Sequence, residues 1–179
     1  MKRDKYQRRL HALIKKYSAE NIVYFDESGF KAHSGRLSGW AYKGQKLYCD
    51  VKGKREKKTN LLMALQGKKH LAPFVFTGAC TAKLVTQWVQ DMLLKELDEP
   101  SIIVIHATLS APQDAVDNAP VHNKKQLRSL LKKHGHALLP LPPYSPDLNP
   151  IEGTFGGMKK RREGMNNNTT IEELVMSYF

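Results

Sequence analysis

Asp26, Asp117 and Glu152 are the acidic residues whose settings suit chemistry. Asp26 directly follows the apolar run Ile22 to Phe25, and strand ends in an open α/β sheet are where site residues are most easily gathered. Asp117 begins the polar loop Asp117-Asn118-Ala119-Pro120-Val121-His122, and Glu152 stands at the start of the last basic helix. Each acid also has a local reading. Asp26 and Asp117 suit turns, while Glu152 at N3, with Asn149 as N-cap and Pro150 at N1, suits a capping box. Carboxylates converging within about 4 to 6 Å repel one another by roughly 4 kcal/mol per close pair at an effective dielectric of 20, so they stay ionised only beside compensating cations. Hard oxygen ligands select Mg2+ or Mn2+. Two such ions would activate a water or a 3′-hydroxyl on one side and stabilise the leaving oxygen on the other.

The elements that must hold these residues follow from periodicity. Tyr6, Leu10, Leu13, Ile14 and Tyr17 have helical spacing, and the short strand Ile22 to Phe25 comes next, ending in the turn-prone Asp26-Glu27-Ser28-Gly29. Leu61 to Leu65 and Leu71 to Thr77 flank Gln66-Gly67-Lys68-Lys69 and read as a hairpin. From Thr81, a possible N-cap, a stripe runs through Leu84, Val85, Trp88, Val89, Met92, Leu93 and Leu97. Ser101 to Ile105 reads as a strand buried on both faces, Asn123 to Lys133 as a helix, Ala137 to Leu141 as a fifth strand, and Thr170-x-x-Glu173 as a capping box. The order of three strands, helix, strand, helix, strand, helix predicts a mixed five-stranded α/β sheet with helices on both faces.

Composition bounds the partners. The 179 residues suit one domain, and 29 Lys and Arg against 17 Asp and Glu give a formal charge of +12, which favours a polyanion such as nucleic acid. A basic run at Lys52, Lys54, Arg55, Lys57 and Lys58 is either a solvated loop or a phosphate contact. Cys49 and Cys80 form no CxxC pair, which disfavours a disulfide framework or zinc site and suits a reducing cytoplasm. No apolar stretch approaches a bilayer's thickness, so no membrane partner is expected. The absence of Gly-x-Ser-x-Gly and of a Gly-x-x-x-x-Gly-Lys loop disfavours a serine hydrolase and an ATPase.

Three motifs decide between the local and the chemical readings: Tyr24-Phe25-Asp26-Glu27-Ser28-Gly29-Phe30, Asp117-Asn118-Ala119-Pro120-Val121-His122, and Pro142-Pro143-Tyr144-Ser145-Pro146-Asp147-Leu148-Asn149-Pro150-Ile151-Glu152. Together they resemble the catalytic core of the mariner-type transposase superfamily, in particular its bacterial insertion-sequence branch, over roughly residues 22 to 162. The 34 residues between Asp117 and Glu152 match that branch's spacing. The resemblance implies a ribonuclease H-like fold, and Asp26, Asp117 and Glu152 as the catalytic and metal-holding acids of a DDE endonuclease. It further implies two Mg2+ or Mn2+ ions, with double-stranded DNA, both transposon ends and target, as substrate for cleavage and strand transfer. Lys159, Lys160, Arg161 and Arg162 are candidates to grip the DNA backbone, or form a basic helix end that suits the helix dipole. Asn118 and His122 are candidates to support Asp117. The expected organisation is a basic helix or linker over 1–20, the catalytic domain over 21–165, and a tail or short helix over 166–179. Recognition of element ends is expected from a separate N-terminal part, and a homodimer is compatible.

The pattern departs from the family most seriously before Asp117. His106 to Val116 separates Ile105 from Asp117, where the family puts its second aspartate directly after the fourth strand. If this segment loops out and Val116 resumes the strand, Asp117 reaches the site. If His106 takes the strand end instead, the chain is a remnant that only binds nucleic acid. A nuclease without strand transfer is the third reading.

Overall fold

In the computed structural model the described residues are 2–30, 41–46, 59–106, 119–165 and 169–179. Helix α1 (Lys2–Tyr17) leads into β1 (Ile22–Phe30), which pairs antiparallel with β2 (Thr59–Gln66), itself antiparallel to β3 (Lys69–Thr77). Gly67 turns the β2–β3 hairpin at φ 58°, a backbone angle glycine adopts without steric cost. Helix α2 (Ala82–Asp91) carries the chain back to β4 (Ile102–Ile105), and α3 (Ala119–Lys133) leads to β5 (Ala137–Pro140). Strands β4 and β5 run parallel to β1, giving the order β3-β2-β1-β4-β5. The chain ends with α4 (Ile151–Glu163) and α5 (Ile171–Met176).

Strand alternation sorts the side chains into two layers. Val23, Phe25, Leu62, Ala64, Ile103 and Ile105 turn toward α2 and α3, where they meet Val85, Trp88, Val89, Leu127 and Leu131. Phe30, Leu61, Met63 and Leu65 turn the other way, onto Ile151, Phe155 and Met158 of α4 and Ile171, Leu174 and Val175 of α5. On this second face α1 lies beside α4, its Tyr6, Leu10, Leu13 and Ile14 covering Ile102, Val104, Leu139 and Leu141. Burying each such side chain is worth about 1.5–3 kcal/mol, so both helical layers are needed to hold the sheet.

Two details modify the expectation from sequence. The stripe that predicts one helix from Thr81 to Leu97 is interrupted at Met92 (φ −122°, ψ −64°) and continues as a 3-10 turn, Leu93–Lys95, which still delivers Leu93 to the core. Thr81 does cap α2, its hydroxyl oxygen accepting from Leu84 N at 3.2 Å. Strand β1 also runs on past Phe25 through Asp26-Glu27-Ser28-Gly29 to Phe30, because the ladder with β2 continues to Phe30↔Thr59. Asp26 therefore sits inside a strand and not in a turn after one.

Candidate active site

The pairing of β1 with β4 stops at Phe25↔Ile105, while its pairing with β2 goes on, with Asp26 opposite Met63. Asp26 is thus the first residue of β1 beyond the parallel pair. By alternation it shares a face with Tyr24 and Phe30, the face that carries α4. It is 6% exposed. Its Oδ1 accepts from Glu27 N at 2.9 Å and its Oδ2 from Asn149 Nδ2 at 2.8 Å.

Burial pushes the Asp26 carboxyl up to about 7. The charges of Glu152 and Glu27 push the same way, and the hydrogen bonds from Glu27 N–H and Asn149 pull against them. The Asn149–Asp26 hydrogen bond ties Asp26 to the start of α4, the helix whose first turn carries Glu152, 126 residues further along the chain. Glu152 itself is exposed, on the first turn of α4. Behind Asp26, burial and the neighbouring Glu27 carboxylate push the Cys80 thiol up to about 12, leaving it a neutral, inert group.

The start of α4 differs from the expected capping box. Pro150 occupies the N-cap position and makes no side-chain capping bond, while the Asn149 side chain reaches across to Asp26. Asn149 is 3% exposed, and its Oδ1 is buried with no hydrogen-bond partner among the described residues. Sequence reasoning assigned this residue only to a helix end, because a partner 123 residues away leaves no local signature.

The other expected site residues divide. Asp117 and Asn118 lie outside the described residues, and His122 falls on the first turn of α3. Strand β4 and its pairing with β1 both end at Ile105, and His106, the next residue, is already outside the ladder. Lys159, Lys160 and Arg161 are exposed, with Lys159 Nζ 5.8 Å from the Phe30 ring centroid and the Arg161 guanidinium 5.5 Å from that of Tyr178. Arg162 is a correction: only 5% exposed, it donates from Nη1 to Thr169 O and ties the end of α4 to the chain entering α5. Helix α1 exposes Lys2, Arg3, Lys5, Arg8, Arg9, Lys15 and Lys16, and Arg3 forms an ion pair with Asp147, two residues before Asn149.

The donor set fits a hard divalent cation. A buried carboxylate that burial and neighbouring acids hold near neutrality is the group a cation would ionise, and the unpartnered Asn149 Oδ1 lies beside it. Among the described residues no three His, Cys, Asp or Glu side chains gather within reach of one ion. The expected third member, Asp117, is not among those residues.

Comparison with known proteins identifies the family. The model of the DDE superfamily endonucleases matches residues 21–175. The chain belongs to that family. This DDE chain is also similar in structure to the Mos1 transposase strand transfer complex, with a TM-score of 0.72 and 21% identity over 98% of this chain and 51% of that one. It is similar to the Mos1 mariner paired end complex with Mn, at 0.70 and 21% over 99% and 54%. The catalytic domain of Mos1 mariner transposase alone matches at 0.60 and 17%, over 98% of this chain and 76% of that one. These likenesses establish the ribonuclease H-like fold of the DDE chain. It spans about half the length of the larger Mos1 chains. No curated protein sequence matches it. No helix among the described residues is long and apolar enough to cross a membrane.

Proposed function

We propose that this DDE chain is the catalytic core of a transposase, cleaving double-stranded DNA at transposon ends and joining the 3′ ends to target DNA with Mg2+ or Mn2+. The observation that carries the reading is Asp26, a buried strand carboxylate hydrogen-bonded to Asn149 at the start of the helix that carries Glu152. Asp26 and Glu152, completed by Asp117, would hold the cations, two in number. When bound, these ions supply the charge that activates the attacking oxygen and stabilises the leaving one. The sheet and α4 orient the carboxylates, and burial excludes competing water from Asp26. Lys159, Lys160 and Arg161 contact the phosphate backbone near the cut, and Asn118 and His122 support the Asp117 corner. The Mos1 complexes hold transposon ends in a paired-end arrangement. By analogy this chain acts as a dimer, or with a separate part that recognises the ends.

A second reading rests on one observation. His106, and not an aspartate, directly follows the last residue of β4, and a chain with only Asp26 and Glu152 in place would bind DNA without cutting it.

The test is a Mg2+-dependent cleavage and joining assay on DNA carrying terminal repeats, with Asp26→Ala, Asp117→Ala, Glu152→Ala and His106→Ala compared. The first three should each abolish cleavage and leave metal-free DNA affinity nearly intact. Cleavage that survives Asp26→Ala sinks the catalytic reading. Parental protein that binds DNA but never cuts it supports the second.

A further inference from the structure

We propose that Asn149 is a positioning residue for the catalytic carboxylate, holding Asp26 with one acceptor position open on each oxygen and offering its own Oδ1 to a water of the cation's hydration shell. The inference rests on the reading of Asp26 as a metal-holding residue.

An ionised carboxylate has two oxygens and about four acceptor positions. On Asp26, Glu27 N–H takes one position on Oδ1 and Asn149 Nδ2 takes one on Oδ2. One position per oxygen remains, which is what a carboxylate shared between two hard cations requires. Without Asn149, the neighbouring backbone N–H would be the one hydrogen bond from the described residues left to restrain the carboxylate, and rotation about its Cβ–Cγ bond would scatter those positions.

The second half of the proposal comes from the other end of the same amide. Asn149 is 97% buried by its exposure of 3%, and Oδ1 has no partner among the described residues. A buried acceptor left unsatisfied costs about 1–3 kcal/mol, so a side chain kept only for packing or capping would be replaced at a gain. It does not cap α4, since the N-cap position is Pro150 and carries no side-chain bond. The amide oxygen and nitrogen share one carbon, so an Oδ1 whose Nδ2 is bonded to Asp26 is itself close to the Asp26 carboxylate. A cation-bound water is a strong donor and would satisfy it there.

The experiment measures Mn2+ binding directly, by the electron paramagnetic resonance signal of free Mn2+ during titration of the full chain. Asn149→Ala and Asn149→Ser are compared with the parent, each first checked for folding by circular dichroism. Outer-shell partners of metal ligands are typically worth 10–100-fold in affinity, so Asn149→Ala should weaken Mn2+ binding by about that factor. Asn149→Ser, which keeps a shorter hydroxyl donor, should recover part of it, and metal-free affinity for a DNA duplex should not move. Equal Mn2+ affinity in the parent and in folded Asn149→Ala overturns the proposal, as does failure of both variants to fold, which would make Asn149 a core residue. Failure of the underlying reading looks different: Asp26→Ala would then bind Mn2+ as tightly as the parent.

Discussion

Helix α4 carries Gly153, Gly156 and Gly157 on its exposed surface, and none of the three has a positive φ. A Cβ added at any of them meets nothing within 4 Å outside the helix itself. Substitution therefore introduces no clash and removes only the conformational freedom that glycine has in the unfolded chain. At about 0.8–1 kcal/mol per position, Gly156→Ala with Gly157→Ala should stabilise the protein by about 2 kcal/mol. For a chain of this size that corresponds to a rise in Tm of about 4–8 °C. The assay is thermal and urea unfolding followed by circular dichroism, with the urea midpoint rising and the slope unchanged. Gly67→Ala is the internal control: at φ 58° it should destabilise by roughly 1–2 kcal/mol, because a side chain there crowds the following carbonyl. A double variant of α4 that melts at or below the parental temperature would refute the reasoning, since the exposed glycines would then serve a packing role the geometry does not contain.

Other expectations follow from single contacts. Because folding raises the Asp26 carboxyl to about 7, the folded state binds a proton the unfolded state has released, and metal-free stability should fall as pH rises from about 4 to 7, by at most about 1.4 kcal/mol per pH unit. Asp26→Asn should flatten that slope in pH-dependent urea titrations, and a slope unchanged by the substitution would exclude Asp26 as its source. Arg162→Ala should lower Tm by removing the buried bond to Thr169 O while Lys160→Ala does not; conversely, Lys160→Ala should weaken duplex binding and reduce its salt dependence. Equal effects of the two variants on both assays would contradict the division. Trp88→Phe strands the Ala72 carbonyl, to which Trp88 Nε1 donates at 2.9 Å in the core, and should cost about 1–3 kcal/mol in chemical denaturation.

Legibility of the sequence tracked the range of the interactions involved. The α2 stripe, the Thr81 cap and the Thr170–Glu173 capping box were readable because each is decided within a few residues. The five strands were readable as apolar runs, and the family motif named both Asp26 and Glu152. The polar Asp26-Glu27-Ser28-Gly29 reads as a turn by composition, yet pairing with β2 keeps it extended, a case of tertiary context overriding propensity. Arg162 reads by composition as one more cation in a basic run. The helical spacing Ile151, Phe155, Met158, Arg162 was the signal that it turns inward with the core residues of its helix.

The early close of the fourth strand has a consequence for how this fold can change. Ile105 is paired on both sides, with Phe25 and with Pro140, and its carbonyl accepts from Leu141 N at 2.8 Å, so the sheet is complete before the chain leaves it. Nothing in the ladder depends on how many residues separate that point from α3. Doubling such a connection costs only about 0.6 kcal/mol in closure entropy. The corner that Asp117 would supply to the proposed metal site can therefore be lengthened, shortened or rewritten over generations while the strand and helix that carry Asp26 and Glu152 stay intact.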